Sequence, residues 1–550
     1  MEEGVFLASR SAASARPTHR AAATARGYEL RARHRPTPHG VFAGVASAKF
    51  TDDPATLSLG THHVSRTHPS GQWLTEAAGV LLNDPALLGR LTFTTGDLIG
   101  RSGDRWEWEG QTAEGVVERR SVRATPAVDL VLRTCAQGAS LAEVTDAVTA
   151  AFSSAPCDGI RSTVTELTRL GALVTDLLPV DVTSDPLGHV MARLPRDHSA
   201  WGSLAALRDL LTAADARAPG DPERGRFLAA ARDAADHLVR GDRPLACDTR
   251  VDALIALPRH LARQAADAGA VLWRVAATDD PLRAFHDAFL ERFGRSRRVP
   301  LADLVDPVTE IGPGPGSPSP ARNATLARML AGAIADGRPV SLTDALVAEL
   351  DKGGEPPRSA EIVVRVVAFG ERLGLAVVPG GGSQHAGATL GRFTGLLGEP
   401  APGRTRDEVE LVVRPRVGSA LTLAPPTGWN RHRIPVGVPC GPSDLPLEDL
   451  SVFSDGHRLF VWSARLNRTI TPVLHSRLSL DLVPPVARLL TLLGRSGTRP
   501  WKTWSWGVLT DAPWTPRVLR GPVVLHPARW AVPAELRAAA DGREEWGQGP

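Results

Sequence analysis

The stretch AVDLVLRTCAQGASLAEVTDAVTAAFSSAPCDGIRSTVTELTRLGALVTDLLPV, residues 127–180, is where the sequence specifies local structure most clearly. Its apolar residues recur at helical spacing in three short segments. The first segment ends at Gly138 and the third at Gly171, as helices commonly do. The second opens with Ser140 and Glu143 in capping-box spacing. Three short helices followed by a strand-like segment predict a winged helix-turn-helix module.

The charge on the third predicted helix bears on what this module binds. Arg161 and Arg169 stand on it against Asp158 and Glu166, so the helix is close to neutral. Specific DNA binding needs a basic, exposed recognition helix, and it is therefore disfavoured. A winged helix can instead pair a peptide strand with the edge of its sheet, since backbone hydrogen bonds tolerate many sequences.

The rest of the 550-residue chain mixes helical and strand patterns without a βαβ repeat, which predicts an α+β fold. Strand and hairpin patterns dominate residues 40–125 and the last 145 residues, and residues 244–257 are strand-like within a helical region. We predict a helix over residues 359–374, SAEIVVRVVAFGERLG. We divide the chain into an N-terminal helix and hairpin module, a winged-helix module, a helical module, a Pro/Gly-rich loop and an α+β module, at residues 1–125, 126–182, 183–310, 311–320 and 321–550.

Composition excludes several classes of protein. No apolar run approaches the roughly 20 residues of a membrane span, and the start Met-Glu-Glu is unlike a secretory signal, so we expect a cytoplasmic protein. The spacing of the four cysteines and of His62 and His63 indicates no metal site, and we expect no cofactor. The net charge is only +3, but residues 1–50 hold seven Arg and one Lys against three Glu.

Two segments offer side chains that could bind an anion. In RARHRPTPHGVFAG, residues 31–44, Arg31 and Arg35 lie one turn apart at the end of a helix predicted over residues 17–35. They could complement the helix dipole, or hold an anionic ligand. The glycine-rich segment from Gly380 to Gly395 carries Arg392 but matches no nucleotide-binding motif, and its residues alone favour a flexible connection.

Several segments, in the same order along the chain, resemble the N-terminal, glutamylating region of lantibiotic dehydratases. The first resembles that family's Arg-x-Thr-Pro-Phe-Gly segment, and a later one its Gly-Arg-Phe loop. The matching segments are LRARHRPTPHGVFAG (30–44), SGQWL (70–74), LTFTTGDLIGRSGDRWEWEG (91–110), FHDAFLERFGRSRRVPLADLVDPVTEIGPG (285–314), GGSQHAGATLGRFTG (381–395) and VVLHPARW (523–530).

The resemblance implies an enzyme that takes glutamate from glutamyl-tRNA and transfers it to Ser and Thr side chains of a precursor peptide. It also implies that residues 126–182 bind the peptide's leader as an added strand. The aminoacyl-tRNA would be a co-substrate, without a further cofactor or metal. The residues that we assign by this resemblance are Arg31, Arg35, Thr37 and Arg392 for catalysis, and Arg20, Arg31, Arg33 and Arg35 for tRNA binding.

The sequence also departs from the family pattern. His39 stands where Phe is usual, and Ser70 or Gly71 stands where an acidic residue is expected. The resemblance also implies a second domain that eliminates the transferred glutamate, and we expect this domain to be a separate partner protein. Whether this chain also forms a homodimer stays open. Two other functions remain: a peptide aminoacyl-tRNA ligase that extends a peptide's C-terminus, and a non-catalytic scaffold that binds a leader peptide. A DNA-binding regulator ranks last.

Overall fold

A computed structural model describes most of the chain beyond residue 43. The described residues are 26, 44–97, 99–111, 117–241, 243–278, 280–304, 320–398 and 405–532. The helix predicted over residues 17–35 lies outside this part apart from Arg26, which is helical, and so do residues 311–319 of the predicted Pro/Gly-rich loop. No helix within the described residues is long and apolar enough to cross a membrane.

The described residues form helices and strands in alternating groups. The helices are α1 (Gly71–Leu81), α2 (Pro85–Leu88), α3 (Pro126–Cys135), α4 (Leu141–Ala151), α5 (Cys157–Arg169), α6 (Pro186–Arg193), α7 (Ser199–Asp215), α8 (Pro222–Leu238), α9 (Arg259–Val275), α10 (Arg283–Phe293), α11 (Pro320–Asp336), α12 (Asp344–Leu350), α13 (Ala388–Gly391), α14 (Thr394–Leu397) and α15 (Pro485–Leu493). The strands of the first half are β1 (Lys49–Thr51), β2 (Thr56–Leu59), β3 (Val64–Pro69), β4 (Thr92–Thr95), β5 (Gly100–Ser102), β6 (Arg105–Gln111), β7 (Val117–Arg123), β8 (Ala139–Ser140), β9 (Leu173–Thr175), β10 (Leu245–Arg250) and β11 (Ala253–Pro258). Those of the second half are β12 (Val299–Pro300), β13 (Val340–Ser341), β14 (Glu361–Phe369), β15 (Arg372–Ser383), β16 (Glu408–Val413), β17 (Arg433–Val436), β18 (Leu450–Ser454), β19 (Leu459–Ser463), β20 (Arg468–Val473), β21 (Trp514–Thr515), β22 (Val518–Arg520), β23 (Val523–His526) and β24 (Arg529–Trp530).

Two large sheets organise the second half of the chain. One has six strands in the order β12-β18-β19-β20-β16-β17, and the other has five in the order β13-β22-β23-β15-β14. The first half contributes smaller sheets, including β8-β4-β9, β5-β6-β7 and the two-stranded antiparallel pair of β3 and β10. The structure combines helices with sheets whose strands pair both parallel and antiparallel, which confirms the predicted α+β class.

Three hydrophobic cores hold these layers together. The first joins α1 to helices α3–α8, the second packs α10 and α15 on the six-stranded sheet, and the third packs α9, α11 and α12 on the five-stranded sheet. The third core also includes Trp501, Trp504 and Trp506. Each core is large enough to stabilise a module, as expected for a chain of this length.

Residues 127–180 form the three helices that the sequence predicts. Ser140 caps α4 and Glu143 returns the hydrogen bond, so both halves of the capping box form. Gly138 and Gly171 adopt positive φ angles of 86° and 81°, which glycine tolerates without strain. The α5 charges pair along the helix surface, with Arg169 2.6 Å from Glu166. The three helices pack beside the β8-β4-β9 sheet, and classing them as a winged helix stays a prediction.

The helix predicted over residues 359–374 is wrong. These residues form β14, a turn and the start of β15, which pair antiparallel as a hairpin. Gly370, at φ 62°, occupies the turn. The run of β-branched Ile and Val in β14 loses side-chain freedom in a helix and packs well on a pleated sheet, so it favours the strand.

Candidate functional site

The candidate site is built on the two-stranded pair of β3 and β10, which we call the β3–β10 ribbon. Arg66 lies opposite Asp248 in the register, and Thr67 lies opposite Cys247. Because successive strand residues point to opposite faces, Arg66 and Asp248 share one face, while Thr67 and Cys247 share the other. The ribbon therefore presents two chemically different surfaces, one against α7 and one against α14.

The Thr67 face surrounds a buried cation. Arg224, 0% exposed, donates from Nη1 to the carbonyl of Ala214 at 2.6 Å and to Asp215 Oδ1 at 3.1 Å. Its Nη2 donates to Thr67 Oγ1 at 2.9 Å and to the Cys247 sulfur at 3.3 Å. Asp215 in turn accepts from the backbone N–H and the hydroxyl of Thr67, each at 2.6 Å. These hydrogen bonds hold the Thr67 face of the ribbon against α7.

The opposite face meets Arg392, the arginine of the Gly-Arg-Phe loop. Its Nη2 donates to Asp248 Oδ1 at 2.7 Å, and the two side chains are only 9% and 17% exposed. Among the described residues, Nε and Nη1 of Arg392 are buried without a hydrogen-bond partner. An unpaired buried N–H group costs free energy, so these two nitrogens keep donor capacity that no described residue uses.

The loop that carries Arg392 is fixed by one carboxylate. Glu361, at the start of β14, accepts from the backbone N–H groups of Gly387 at 2.9 Å and Thr389 at 3.0 Å. It also accepts from the hydroxyls of Thr389 at 2.7 Å and Ser383 at 3.0 Å. The glycine-rich segment is thus the end of β15 followed by an anchored turn, and the flexible connection favoured by its residues is wrong.

Two further contacts bring the loop close to its surroundings. Gly391 lies directly against the carbonyl oxygen of His475, where a Cβ would collide, so only glycine fits there. A Cβ on Gly395 would lie 2.7 Å from Arg66 Nη1, which places the Arg66 guanidinium at α14. Arg66 therefore lies close to the turn that carries Arg392.

His68 completes the face on which Arg66 and Asp248 lie. It is 3% exposed, and its Nδ1 is 2.9 Å from the carbonyl oxygen of Pro69. Burial lowers the pKa of His68, against an opposing effect of that hydrogen bond and of the Asp248 charge. A neutral imidazole leaves Arg392 as the counterion of Asp248.

Of the site residues assigned from the sequence, the structure describes some and not others. Arg20, Arg31, Arg33, Arg35 and Thr37 all lie outside the described residues. Arg392 is described, and the structure brings it to Asp248.

The chain that follows the Thr-Pro segment is described from residue 44. Val45, eight residues beyond Thr37, donates its N–H to the carbonyl of Thr249 at 2.8 Å and accepts from the N–H of Val251 at 2.8 Å. It also forms a parallel bridge with Arg250. Val45 therefore lies against the end of β10, close to Asp248.

Sequence reasoning missed Asp248, His68 and Glu361. The available signal for Asp248 was an acidic residue within the strand-like segment at 244–257, which also contains Asp252. Within the described ranges, no three or more His, Cys, Asp or Glu side chains form a group that could hold a metal ion.

Comparisons with known proteins show what the chain as a whole is similar to. The chain matches the family model described as "Lantibiotic dehydratase, N terminus" over residues 3–549. It is 24% identical to the subtilin biosynthesis protein SpaB of Bacillus subtilis over 398 residues, which are 67% of this chain and 38% of that protein.

Solved structures give the same result. The tRNA-dependent lantibiotic dehydratase MibB from Microbispora sp. 107891 superposes with a TM-score of 0.83 at 30% identity, covering 96% of this chain and 55% of that one. The glutamylation domain of TbtB, from thiomuracin biosynthesis, superposes with a TM-score of 0.63 at 21% identity, covering 94% of this chain and 71% of that one. The chain thus spans about half of MibB and less of SpaB.

Proposed function

This chain belongs to the lantibiotic dehydratase family, whose N-terminal part it matches, and we propose that it transfers glutamate from glutamyl-tRNA to Ser and Thr side chains of a precursor peptide. Two names among its relatives support the choice of reaction. MibB is described as tRNA-dependent, and the TbtB structure as a glutamylation domain. The reaction needs no cofactor beyond the aminoacyl-tRNA.

The observation that carries the proposal is the state of Arg392. Attack of a hydroxyl on the ester of an aminoacyl-tRNA places negative charge on the carbonyl oxygen and then on the departing ribose oxygen. A guanidinium that is already oriented, with two nitrogens unfilled among the described residues, stabilises such charge without reorganising. Asp248 holds the third nitrogen, which fixes the direction in which the other two point.

The remaining assigned residues extend this site along the chain. Arg31, Arg35 and Thr37 precede the segment that runs beside Asp248, and we assign them to the same reaction centre, with Arg20 and Arg33 on the tRNA. Arginine suits both tasks because it keeps its charge and presents a fork of donors to phosphate or carboxylate. A polyanionic acceptor end also explains the positive charge concentrated in residues 1–50.

The peptide's leader is assigned to the β8-β4-β9 sheet. β9 is the last strand of that sheet, with one neighbour among the described residues, so its outer edge can take another strand. Elimination of the transferred glutamate belongs to the part of the relatives that this chain does not match, supplied by a partner protein or domain.

The proposal is tested by incubating the protein with its precursor peptide, tRNA, glutamate and glutamyl-tRNA synthetase, and reading the peptide by mass spectrometry. We expect a gain of glutamyl residues, which fragmentation locates on Ser or Thr side chains. Uncharged tRNA and a leaderless peptide serve as controls. An amino acid added at the peptide's C-terminus would favour a ligase, and tight peptide binding without any mass change would favour a scaffold; either outcome contradicts the proposal.

A further inference from the structure

Five exposed arginines, which we call the arginine cluster, gather around the turn between β18 and β19. Four of them, Arg292, Arg295, Arg297 and Arg298, come from RFGRSRR, residues 292–298, where α10 ends and the chain enters β12. The fifth, Arg458, lies in the turn itself. None of the residues assigned from the sequence to catalysis or to tRNA binding belongs to this cluster.

The fold brings the two segments of the cluster together. The backbone N–H of Ser296 donates to the carbonyl of Ser454 at 2.8 Å, beside the pairing of β12 with β18. A Cβ on Gly456, in the β18–β19 turn, would lie 2.7 Å from Arg295 Nε, so the Arg295 guanidinium lies directly against this turn. Ser296 adopts a φ of 63°, which is unfavourable for a residue with a side chain and persists where its surroundings fix it. Tertiary contacts therefore set the position of the loop.

Aromatic rings orient four of the five guanidinium groups. Phe460 and Trp462 alternate along β19 with Val461, which belongs to the second core, so both rings lie on the other face of the sheet. The central guanidinium carbon lies 3.5–5.8 Å from a ring centroid for Arg298 over Trp462, Arg458 over Phe460, and both Arg292 and Arg297 over Phe293. A guanidinium that lies over a ring keeps the N–H groups along its edges for another partner.

No acidic side chain neutralises the cluster within the described residues. None of its five guanidinium groups forms an ion pair or donates a hydrogen bond there. Asp455, in the same turn, accepts instead from the backbone N–H groups of His457 at 2.8 Å and Arg458 at 2.9 Å. By contrast, Arg433 on the edge strand β17 of the same sheet is paired with Asp444 at 2.8 Å. Like charges that gather without counterions repel each other, so the cluster favours a polyanionic partner.

The cluster lies within reach of the transfer site. Trp462 is opposite Thr469 in β20, and His475, whose carbonyl lies against Gly391, is six residues beyond Thr469. At the usual rise of a strand, this path along β20 spans roughly 20 Å. A tRNA whose acceptor end is held at Arg392 carries backbone phosphates at such a distance from that end.

We propose that the arginine cluster binds the phosphate backbone of the tRNA beyond its aminoacylated end, an inference that rests on the proposed function. RNA fits better than an acidic peptide, because every nucleotide carries a fixed charge and the oriented guanidinium forks match phosphate oxygens. The half-buried rings beneath the guanidinium groups also suit an RNA surface, where bases stack on aromatic side chains and arginine planes. The cluster therefore positions the tRNA and takes no part in the reaction itself.

The test measures binding of deacylated tRNA to the full chain by fluorescence anisotropy over a series of salt concentrations. The triple variant Arg297→Gln, Arg298→Gln and Arg458→Gln should bind tRNA about tenfold or more weakly at low salt. Its slope of log affinity against log salt should be shallower by about 2–3, as expected for three lost phosphate contacts. The corresponding triple Lys variant, which keeps the charges, should retain the wild-type slope.

A second triple variant controls for net charge. Arg90→Gln, Arg226→Gln and Arg338→Gln remove the same charge from three exposed arginines elsewhere on the surface, and tRNA affinity should stay within about twofold of wild type. In steady-state transfer, the cluster variant should raise the KM for glutamyl-tRNA and keep kcat, because only binding is weakened.

Two outcomes for tRNA would overturn the inference: unchanged affinity in the cluster variant, or equal weakening in both Gln variants. Binding of polyglutamate that depends on the cluster, without any effect on tRNA, would make it a peptide site and also overturn it. Deacylated tRNA separates this inference from the proposed function. Wild-type transfer of glutamate with unchanged tRNA affinity in the cluster variant removes only the cluster, whereas cluster-dependent tRNA binding without any transfer by the wild type removes only the proposed function.

Discussion

Arg224 and Arg392 lie on opposite faces of the same ribbon, and each pairs with an aspartate. Arg224 donates hydrogen bonds from its two terminal nitrogens to four protein acceptors, among them Asp215, Thr67 and Cys247. Arg392 makes one bond, to Asp248, and leaves two buried nitrogens without a partner in the described part of the chain. The first arrangement stabilises the fold, and the second keeps hydrogen-bonding capacity for a ligand.

The contrast also separates two roles of a buried arginine, one in stabilising the fold and one in binding a ligand. A guanidinium whose two terminal nitrogens are both bonded to protein groups is part of the structure, because its removal leaves the partly buried Asp215 without its counterion. An unsaturated one costs stability where it stands, and such a cost persists at sites that act on something else. Substitutions on the two faces should therefore affect different measurements.

The largest effect on stability is expected for Arg224→Met. The substitution leaves Asp215 without its counterion and removes the donor to Thr67. The free energy of unfolding should therefore fall by about 3–5 kcal/mol. Chemical denaturation measures this loss. Arg217→Met is the control: it removes an exposed ion pair with Glu223, 2.9 Å long, which is worth about 0–1 kcal/mol. Equal losses in the two variants would mean that buried Arg224 contributes no more to stability than an exposed ion pair.

Asp248→Asn should act mainly on transfer. The amide keeps the shape but loses the charge that orients Arg392, so we expect the transfer rate to fall by about tenfold or more while the fold is kept. A double-mutant cycle with Arg392→Lys checks the mechanism, because residues that act through one contact are not additive. Fully additive losses would mean that Asp248 acts independently of Arg392.

Glu361→Gln tests whether the loop must be held for Arg392 to work. The amide can accept fewer hydrogen bonds than the carboxylate that now receives the N–H groups of Gly387 and Thr389, so the turn should loosen. We expect a smaller loss of rate than in Asp248→Asn, with faster hydrogen exchange at residues 383–389. Unchanged exchange there would show that the turn is held without Glu361.

The smallest effect concerns pH and His68. Because burial lowers the folded pKa of His68 below its ordinary 6.5, the unfolded chain binds a proton that the folded chain does not, and stability falls as the pH drops through that value. His68→Asn removes this contribution. The difference in unfolding free energy between wild type and variant should therefore shift in favour of the variant between about pH 7 and about pH 5. A difference that is independent of pH would mean that folding leaves the pKa of His68 at its ordinary value.

Local features were predictable from the sequence, and long-range ones were not. The Ser140–Glu143 capping box and the helix ends at Gly138 and Gly171 formed as predicted, since each depends on neighbours within a few residues. The β14 hairpin was misjudged because an apolar run fits both helix and strand, although its β-branched residues favoured the strand.

The candidate site shows the same limit. Arg392 was assigned by resemblance to a family motif, and nothing near it in the sequence indicated its partner. Asp248 lies 144 residues earlier and reaches it only because β10 pairs with β3 and packs beside α14. Such pairings depend on the tertiary fold, so the state of the Arg392 nitrogens was visible only in the structure.

The most direct test of the central claim measures transfer and stability together in Arg392→Gln. In single-turnover transfer of glutamate from glutamyl-tRNA to the precursor peptide, we expect the rate to fall by about 10²–10³-fold, as when a donor to a developing oxyanion is removed. The free energy of unfolding should fall by less than in Arg224→Met, within about 1–2 kcal/mol, because the change also removes two unpaired buried nitrogens. Transfer at the wild-type rate would contradict a functional role for Arg392, and a stability loss as large as that of Arg224→Met would contradict the contrast between the two faces.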